Sequence, residues 1–405
     1  MSIFENLASL HDIGFFCAKR ILSDPNVQAL INSKQEFDLV IVETFLNEAH
    51  LAFAKHFNAH LVLFNSMGVS EWNSHLIGNP FLSSYLPTTN SGYTTSMSFY
   101  ERFRNTISLW YDRYYRYFYQ TAWHQSLVDQ YFPKKYDLNK IMYNASIMLT
   151  CSHVSTTEAT AVVPSIIEIA GLHIKTYKLP ENIQRFLDSA TDGAIYISMG
   201  SNIKTTGIPK ELLNAMLKVF NNLKQKVIWK LDNDDLVTSQ NLMISKWLPQ
   251  RDILAHPNVI LFISHCGMGS TTETIHYGIP VLGIPMYGDQ MMNLNRLKKY
   301  GMALELPFKT ISETTLKTTV EEMVNNKSYL ENARKRSKIM QDRLVHPLDE
   351  AIYWIEYVIR HNGAQHLKSP AHDLYWFQLF MVDIILVMIL TPYLSYLILR
   401  SFIRS

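Results

Sequence analysis

The stretch Trp247–Gln290, WLPQRDILAHPNVILFISHCGMGSTTETIHYGIPVLGIPMYGDQ, decides the fold. It opens on Trp247-Leu-Pro-Gln250, a turn that carries a large flat ring and an amide. A short helical run and a turn, Asp252 to Asn258, lead to Val259-Ile-Leu-Phe-Ile263, an apolar β-branched run that reads as a buried parallel strand. The strand delivers His265-Cys-Gly-Met-Gly-Ser270, in which Gly267 and Gly269 let backbone N–H groups approach a ligand. Ser270-Thr-Thr-Glu273 has capping-box spacing and predicts a helix start at that point. Strand, glycine loop and helix N-terminus together suit an anion, because the first amides of a helix lack partners and its dipole favours negative charge. A second apolar run, Ile279 to Pro285, delivers Asp289 and Gln290, two groups suited to binding hydroxyls.

The chain on either side keeps the same rhythm. Ala194–Ser198 reads as a strand, followed by the small-residue turn Met199-Gly200-Ser201 and a helix from Lys210 to Phe220. Gly200 and Ser201 are therefore a second candidate for diphosphate contact. Lys226–Trp229 is the next strand. Further back, Phe37 to Glu43 is a strand ending in an acid, with a helix over Glu48 to Phe57 after it. His60–Phe64, Ile147–Thr150 and Leu172–Tyr177 read as three more strands. Strands alternating with helices at this spacing imply α/β architecture with doubly wound sheets. Ligands bind such sheets at the carboxyl ends of the strands, which brings forward Glu43, Asn65 and Ser66. A boundary near Leu179-Pro180 divides residues 1–180 from 181–375.

Composition narrows the function classes. At 405 residues there is room for two or three domains, and 47% hydrophobic against 18% charged residues describes a globular chain with an apolar addition. A net charge of +2 argues against a nucleic-acid partner. Three cysteines (Cys17, Cys151, Cys266) are too few and too scattered for a disulfide framework or zinc site, and no acidic pair beside the glycine loop implies a metal. Cys266 reads as packing rather than as a nucleophile.

The apolar addition is at the C-terminus. Residues 376–399 are apolar except for Gln378, Asp383 and a few hydroxyls, and Arg400 and Arg404 follow in the tail 400–405. Roughly 20 apolar residues span a bilayer, so this segment predicts a transmembrane helix. Elsewhere Tyr100, Phe103, Ile107, Trp110, Tyr114 and Phe118 recur at helical spacing among Arg102, Arg104, Arg113 and Arg116. Such a helix either packs on its own domain, the reading we take, or serves as an acceptor lid or membrane-touching element.

The ordered set from Trp247 to Asn293 resembles the signature of the UDP-glycosyltransferase family, of the UDP-glucuronosyltransferase and UDP-glucosyltransferase type. The resemblance runs from about Phe37 to the C-terminal tail and has an animal, insect-like character. It implies a GT-B fold of two Rossmann-like domains, the N-terminal one on the acceptor side and lacking its first strands, the second binding a UDP-sugar. Trp247 would then stack on uracil, Gln250 meet the nucleoside and Glu273 accept from ribose hydroxyls. His265 and the amides of Gly267, Gly269 and Ser270 would hold the diphosphate, and Asp289 and Gln290 the sugar. The implied reaction transfers a hexose, glucose or glucuronic acid, to a hydroxyl of a small lipophilic acceptor with inversion. It uses no cofactor, the UDP-sugar being a co-substrate. Glu43 stands where the family has the aspartate that supports a general-base histidine. That histidine has no counterpart here, since His11, His50, His56 and His60 read as ordinary surface or core residues.

Two further expectations follow from the resemblance. The protein would be a single-pass protein of the endoplasmic reticulum membrane with its globular part luminal, alone or assembled with itself or with related transferases. The competing reading is a truncated, catalytically silent membrane protein that binds a UDP-sugar or a partner; a nucleotide-sugar epimerase is a distant third.

Overall fold

The computed structural model describes residues 3–201, 208–232 and 239–404. Among the described residues, ten parallel strands form two sheets. The first sheet has the order β1(Leu39–Glu43), β2(His60–Asn65), β3(Ile147–Thr150), β4(Ile166–Glu168). The second follows from β5(Ala194–Ser198), β6(Lys226–Lys230), β7(Leu242–Ser245), β8(Val259–Ser264), β9(Val281–Gly283) and β10(Ala303–Glu305). Their spatial order is β10-β9-β8-β5-β6-β7, so the chain starts in the middle and winds outward in both directions.

The register places the sites. Ser198 at the end of β5 pairs with Ser264 at the end of β8, so the two turns that follow them emerge side by side. β5 is buried along its whole length, as helices on both faces of a parallel sheet require. One core layer packs Ile195, Ile197, Leu261 and Ile263 against Phe220 and Leu316. The opposite layer packs Tyr196, Ile228 and Phe262 against Leu187 and Ile253.

Two elements differ from their reading in the sequence, and a third crosses the domain division drawn there. The fourth strand of the first sheet is Ile166–Glu168 and not Leu172–Tyr177. Gly171, at φ +88, turns the chain immediately after the earlier and more β-branched run, which takes the pairing with Met148. The helix read over Glu48 to Phe57 begins as a 3₁₀ turn, Glu48–Leu51, before the α-helix Ala52–His56. The helix Pro347–Arg360 crosses back and buries Ala351 and Val358 against Val62, Ile147 and Leu149 of the first sheet. The unit 181–375 therefore lends its last helix to the other domain.

The aromatic helix, Phe99–Tyr115, is continuous through a π-turn over Arg116–Gln120 with the helix Thr121–Tyr131. Its aromatic side does not pack on its own domain as expected. Phe103, Ile107, Trp110 and Tyr114 are exposed, while Asn105, Ser108, Leu109 and Asp112 point inward. The reason is a buried polar network. Arg116 bonds Glu48 (2.6 Å) and Asp112 (3.5 Å), Gln120 bonds Glu48 (2.5 Å), and His11 lies 3.1 Å from Asp112. Once both acids and the arginine are inside, the apolar face has to point out.

At the C-terminus, Met381 takes φ +53 and breaks the apolar run into a short turn, Trp376–Leu379, and the long helix Val382–Arg404. Residues 382–403 are long and apolar enough to cross a membrane, and none of the helix is buried against the protein.

Candidate active site in the cleft between the sheets

The second-domain site is built around one imidazole. His265 leaves β8 and is followed by Cys266 at φ +64, a left-handed conformation rare outside glycine. The reversal is supported by the Cys266 amide, which donates to Ser264 Oγ (3.1 Å). It seats the His265 ring between two glycines. A Cβ on Gly200 would lie 2.8 Å from His265 Cε1, and one on Gly267 would lie 2.6 Å from Nε2. Gly200, at φ +80, is thus required twice, by its backbone and by its neighbour. Burial lowers the His265 pKa to about 4, with the Lys230 charge adding to the effect, so the ring is neutral near pH 7. Its buried Nδ1 has no hydrogen-bond partner among the described residues.

The helix after this loop spans Met268–Tyr277, with Gly267 as its N-cap and no side-chain cap. The capping box read at Ser270–Glu273 does not form. Gly267 already turns the chain into the helix, and Ser270 and Glu273 are helical residues on the face that looks toward Gln250. The Gly267 N-cap offers no side chain to the first amides of the helix, and a Cβ on Gly269 would meet nothing within 4 Å. Cys266 is buried, packs with Leu294 and Ile275, and burial pushes its thiol pKa up, consistent with packing.

Gln250 neither caps a helix nor stands alone. It is the first residue of the helix Gln250–Leu254, whose N-cap is Pro249. Its Nε2 donates to Ser270 Oγ (3.1 Å) and Glu273 Oε2 (2.6 Å), and its Oε1 accepts from the Tyr196 hydroxyl (3.3 Å). His173 Nε2 lies 3.3 Å from the other Glu273 oxygen. Glu273 is thus held by two partners beside the helix N-terminus. Trp247 is 73% exposed, with Lys230 Nζ 4.7 Å from its ring centroid. The same ammonium donates to Gly200 O and Ser201 Oγ, both at 3.3 Å, and so ties the indole to the β5 turn.

Asp289 and Gln290 open the helix Gln290–Lys299. Asn293 donates to Asp289 Oδ2 (2.7 Å) and to Cys266 O (3.1 Å), which fixes the acid against the histidine loop. Burial raises the Asp289 pKa above its usual value. Gln290 uses its Oε1 on the amides of Met286 (2.7 Å) and Tyr287 (3.1 Å), leaving Nε2 for a ligand.

Glu43 ends β1 on the facing edge. Ser66 Oγ donates to Glu43 Oε1 (3.1 Å), and burial outweighs this bond to raise the Glu43 pKa. The exit loop of β2 carries Ser66 and Gly68, and a Cβ on Gly68 would lie 3.6 Å from Met268 Cε at the start of the donor-side helix. The two edges therefore face each other across one cleft. Asn295 bonding Gly92 O (2.7 Å) and Tyr300 bonding Thr157 O (3.0 Å) hold it together, with a close Lys299–Glu158 ion pair.

Two histidines of the first domain lie elsewhere: His11 faces Asp112, and His56 bonds Ile31 O (2.7 Å) and Tyr136 (3.1 Å). Among the described residues no three His, Cys, Asp or Glu side chains gather as a metal site.

Sequence reasoning missed Lys230, His173, Tyr196 and Asn293. Lys230 had a signal, a cation closing an apolar strand at a carboxyl edge; His173 had none, since it arrives from the turn after β4 of the first sheet.

Known proteins bear on this geometry. The family model described as UDP-glucoronosyl and UDP-glucosyl transferase matches residues 1–402. UDP-glucosyltransferase 2 of Dactylopius coccus is 34% identical over 393 residues, covering 96% of this chain and 75% of that protein. Human UDP-glucuronosyltransferase 2B10 is 32% identical over 386 residues, covering 94% and 72%. Among solved structures, a UDP-glucose:anthocyanidin 3-O-glucosyltransferase in complex with UDP superposes with a TM-score of 0.55 at 16% identity, covering 82% of this chain and 78% of that one. The kitacinnamycin glycotransferase superposes with a TM-score of 0.58 at 15% identity, covering 89% and 83%. The fold is GT-B, and a silent binding protein is not the favoured reading among relatives named as transferases. The chain belongs to the UDP-glucuronosyl and UDP-glucosyl transferase family and is a glycosyltransferase enzyme.

Proposed function

We propose that the chain transfers glucose or glucuronic acid from the UDP-sugar to a hydroxyl of a small lipophilic acceptor, with inversion at the anomeric carbon. The observation that carries this reading is the neutral His265 ring wedged between Gly200 and Gly267 at an uncapped helix N-terminus, with Trp247 and Glu273 on either side. A diphosphate finds a donor from His265 and the amides of Gly267, Gly269 and Ser270. Trp247 offers a face for uracil and Glu273 accepts from ribose hydroxyls, with Gln250 and His173 fixing the carboxylate. Asp289 and the Gln290 amide meet the sugar hydroxyls, and Ser201 joins the diphosphate side.

In the reaction the acceptor oxygen forms a bond to the anomeric carbon as the bond to the β-phosphate oxygen breaks. UDP leaves with the electron pair, stabilised by the amides and His265. The acceptor's proton leaves on the Glu43 side, where the Glu43 carboxylate, held by Ser66 and with its pKa raised by burial, is the group that accepts it. The UDP-sugar is a co-substrate and no cofactor enters. The apolar helix Val382–Arg404 anchors the protein by a single pass in the endoplasmic reticulum membrane, with the globular part luminal and the basic tail cytosolic.

One experiment tests both halves of the cleft: UDP affinity by calorimetry and turnover of the full chain, in Trp247→Ala and Glu43→Gln. Loss of stacking is expected to weaken UDP binding by about 1–3 kcal/mol in Trp247→Ala. Glu43→Gln is expected to lower turnover with UDP affinity unchanged. Wild-type UDP affinity in Trp247→Ala would overturn the donor site.

A further inference from the structure

Among the described residues, nothing covers the outward face of the aromatic helix. Phe99, Phe103, Ile107, Trp110, Tyr114 and Phe118 recur at three- and four-residue steps along it, and Trp110 is 61% exposed. The helix is not free to turn this face inward, because its other side carries Asn105, Asp112 and Arg116 in bonds to the interior. Asn105 alone donates to Ser83 O (2.9 Å) and Leu86 O (2.7 Å) and accepts from the Thr88 amide (2.7 Å). A contiguous exposed apolar face of this kind marks an interaction surface.

Its position says what covers it. Arg113, on the same helix, lies 5.6 Å from the centroid of the Phe380 ring, two residues before the apolar helix Val382–Arg404 begins. Tyr375 and Trp376, both exposed, precede Phe380, so the segment that Arg113 touches is itself aromatic up to the mouth of the span. Aromatic rings interleaved with arginines are the composition favoured where hydrocarbon meets headgroups, since each has an apolar body and a polar end.

We infer that the Phe99–Phe118 face is a second membrane contact, lying in the headgroup layer of a phospholipid bilayer beside the C-terminal span. This rests on the reading of Val382–Arg404 as a membrane anchor. The contact would fix the first domain's orientation at a second point, besides the anchor joined through the turn at Met381. It also puts the acceptor half of the cleft close to the layer in which lipophilic acceptors dissolve.

The test uses the full chain in phosphatidylcholine vesicles and reads Trp110 emission as the difference between the chain and Trp110→Phe. Interfacial helices sit about 5–10 Å deep, so lipids brominated high in the acyl chain should quench this emission by about twofold, and lipids brominated near the chain end should quench it less. Aqueous iodide should leave it unchanged. Phe103→Glu combined with Ile107→Glu should weaken lipid quenching and leave UDP affinity as it was. Quenching by iodide but not by lipid would overturn the inference, because the face would be in water. Protection from both would also overturn it, because protein would cover the face. Alkaline carbonate extraction reports the anchor separately. A chain that resists extraction while Trp110 stays open to iodide keeps the anchor and loses the second contact. A chain that is stripped yet shows lipid-quenched Trp110 keeps the contact and loses the anchor.

Discussion

The two domains solve opposite problems with their buried polar groups. In the second, the imidazole of His265 is buried neutral among glycines, and the charges around it, Lys230, Glu273 and Asp289, sit at the rim of a cleft. In the first, Glu48, Asp112 and Arg116 are fully inside, with Gln120 and His11 completing their bonds. Burial pushes each carboxyl pKa up, but the Arg116 guanidinium, with the neighbouring histidines, more than offsets it and holds both acids below their usual values. A polar cluster at a rim is open to a ligand, whereas one sealed in a core can only position structure. That difference separates a binding site from a scaffold, even though both are rich in titratable groups.

The sharpest way to break this contrast is to remove the central cation. Arg116→Met strands Glu48 and Asp112 in the core, and breaking a buried ion pair on one side costs about 3–5 kcal/mol. Denaturant unfolding should register a loss of that size, with UDP affinity of the folded chain unchanged. An equal fall in UDP affinity would mean that the first-domain network also shapes the donor side of the cleft.

A smaller effect is expected in the second domain from Gly200→Ala. The new methyl meets both an unfavourable φ and the His265 ring, and strain of this kind is worth about 1–3 kcal/mol. It should appear in calorimetry as weaker UDP binding, while Ser201→Ala changes it less. Unaltered affinity in Gly200→Ala would remove His265 from the diphosphate site.

The smallest effect is in acid. Burial puts the folded His265 pKa at about 4, below the 6.5 of an exposed histidine. Between those values the unfolded chain takes up a proton that the folded chain refuses, so stability is complete above pH 6.5 and falls as pH drops toward 4. The slope for one such group is at most about 1.4 kcal/mol per pH unit. Urea unfolding at pH 7 and pH 5 should show this loss, and His265→Gln should flatten it. A slope unchanged by the substitution would place the ring in water.

The contrast also explains which residues could be read in advance. Every donor-side residue read from the sequence except Gly200 and Ser201 falls within Trp247–Gln290, because one strand–loop–helix unit and the next strand end build most of that site from consecutive chain. Its fold was legible for the same reason: β8 and β5 are apolar runs of strand length bounded by glycine. The helix start was misplaced by three residues because Gly267 supplied the turn that a Ser270 cap would have supplied. The first domain gave no such signal. Its network joins residues 11, 48, 112, 116 and 120, and the hydrophobic period of the aromatic helix was real but pointed to the wrong side.

The sequence alone determined the alternation of strands and helices, the small residues around His265, and the apolar span at the C-terminus. These depend on local periodicity and on backbone freedom, which neighbouring residues carry. Only the tertiary structure decided that Lys230 and His173 join the site, that Pro347–Arg360 covers the opposite sheet, and that the aromatic face looks outward. Each of these depends on which distant group reaches a buried charge or an open sheet face first. That competition is resolved by desolvation and packing across the whole chain, and no window of sequence contains both competitors.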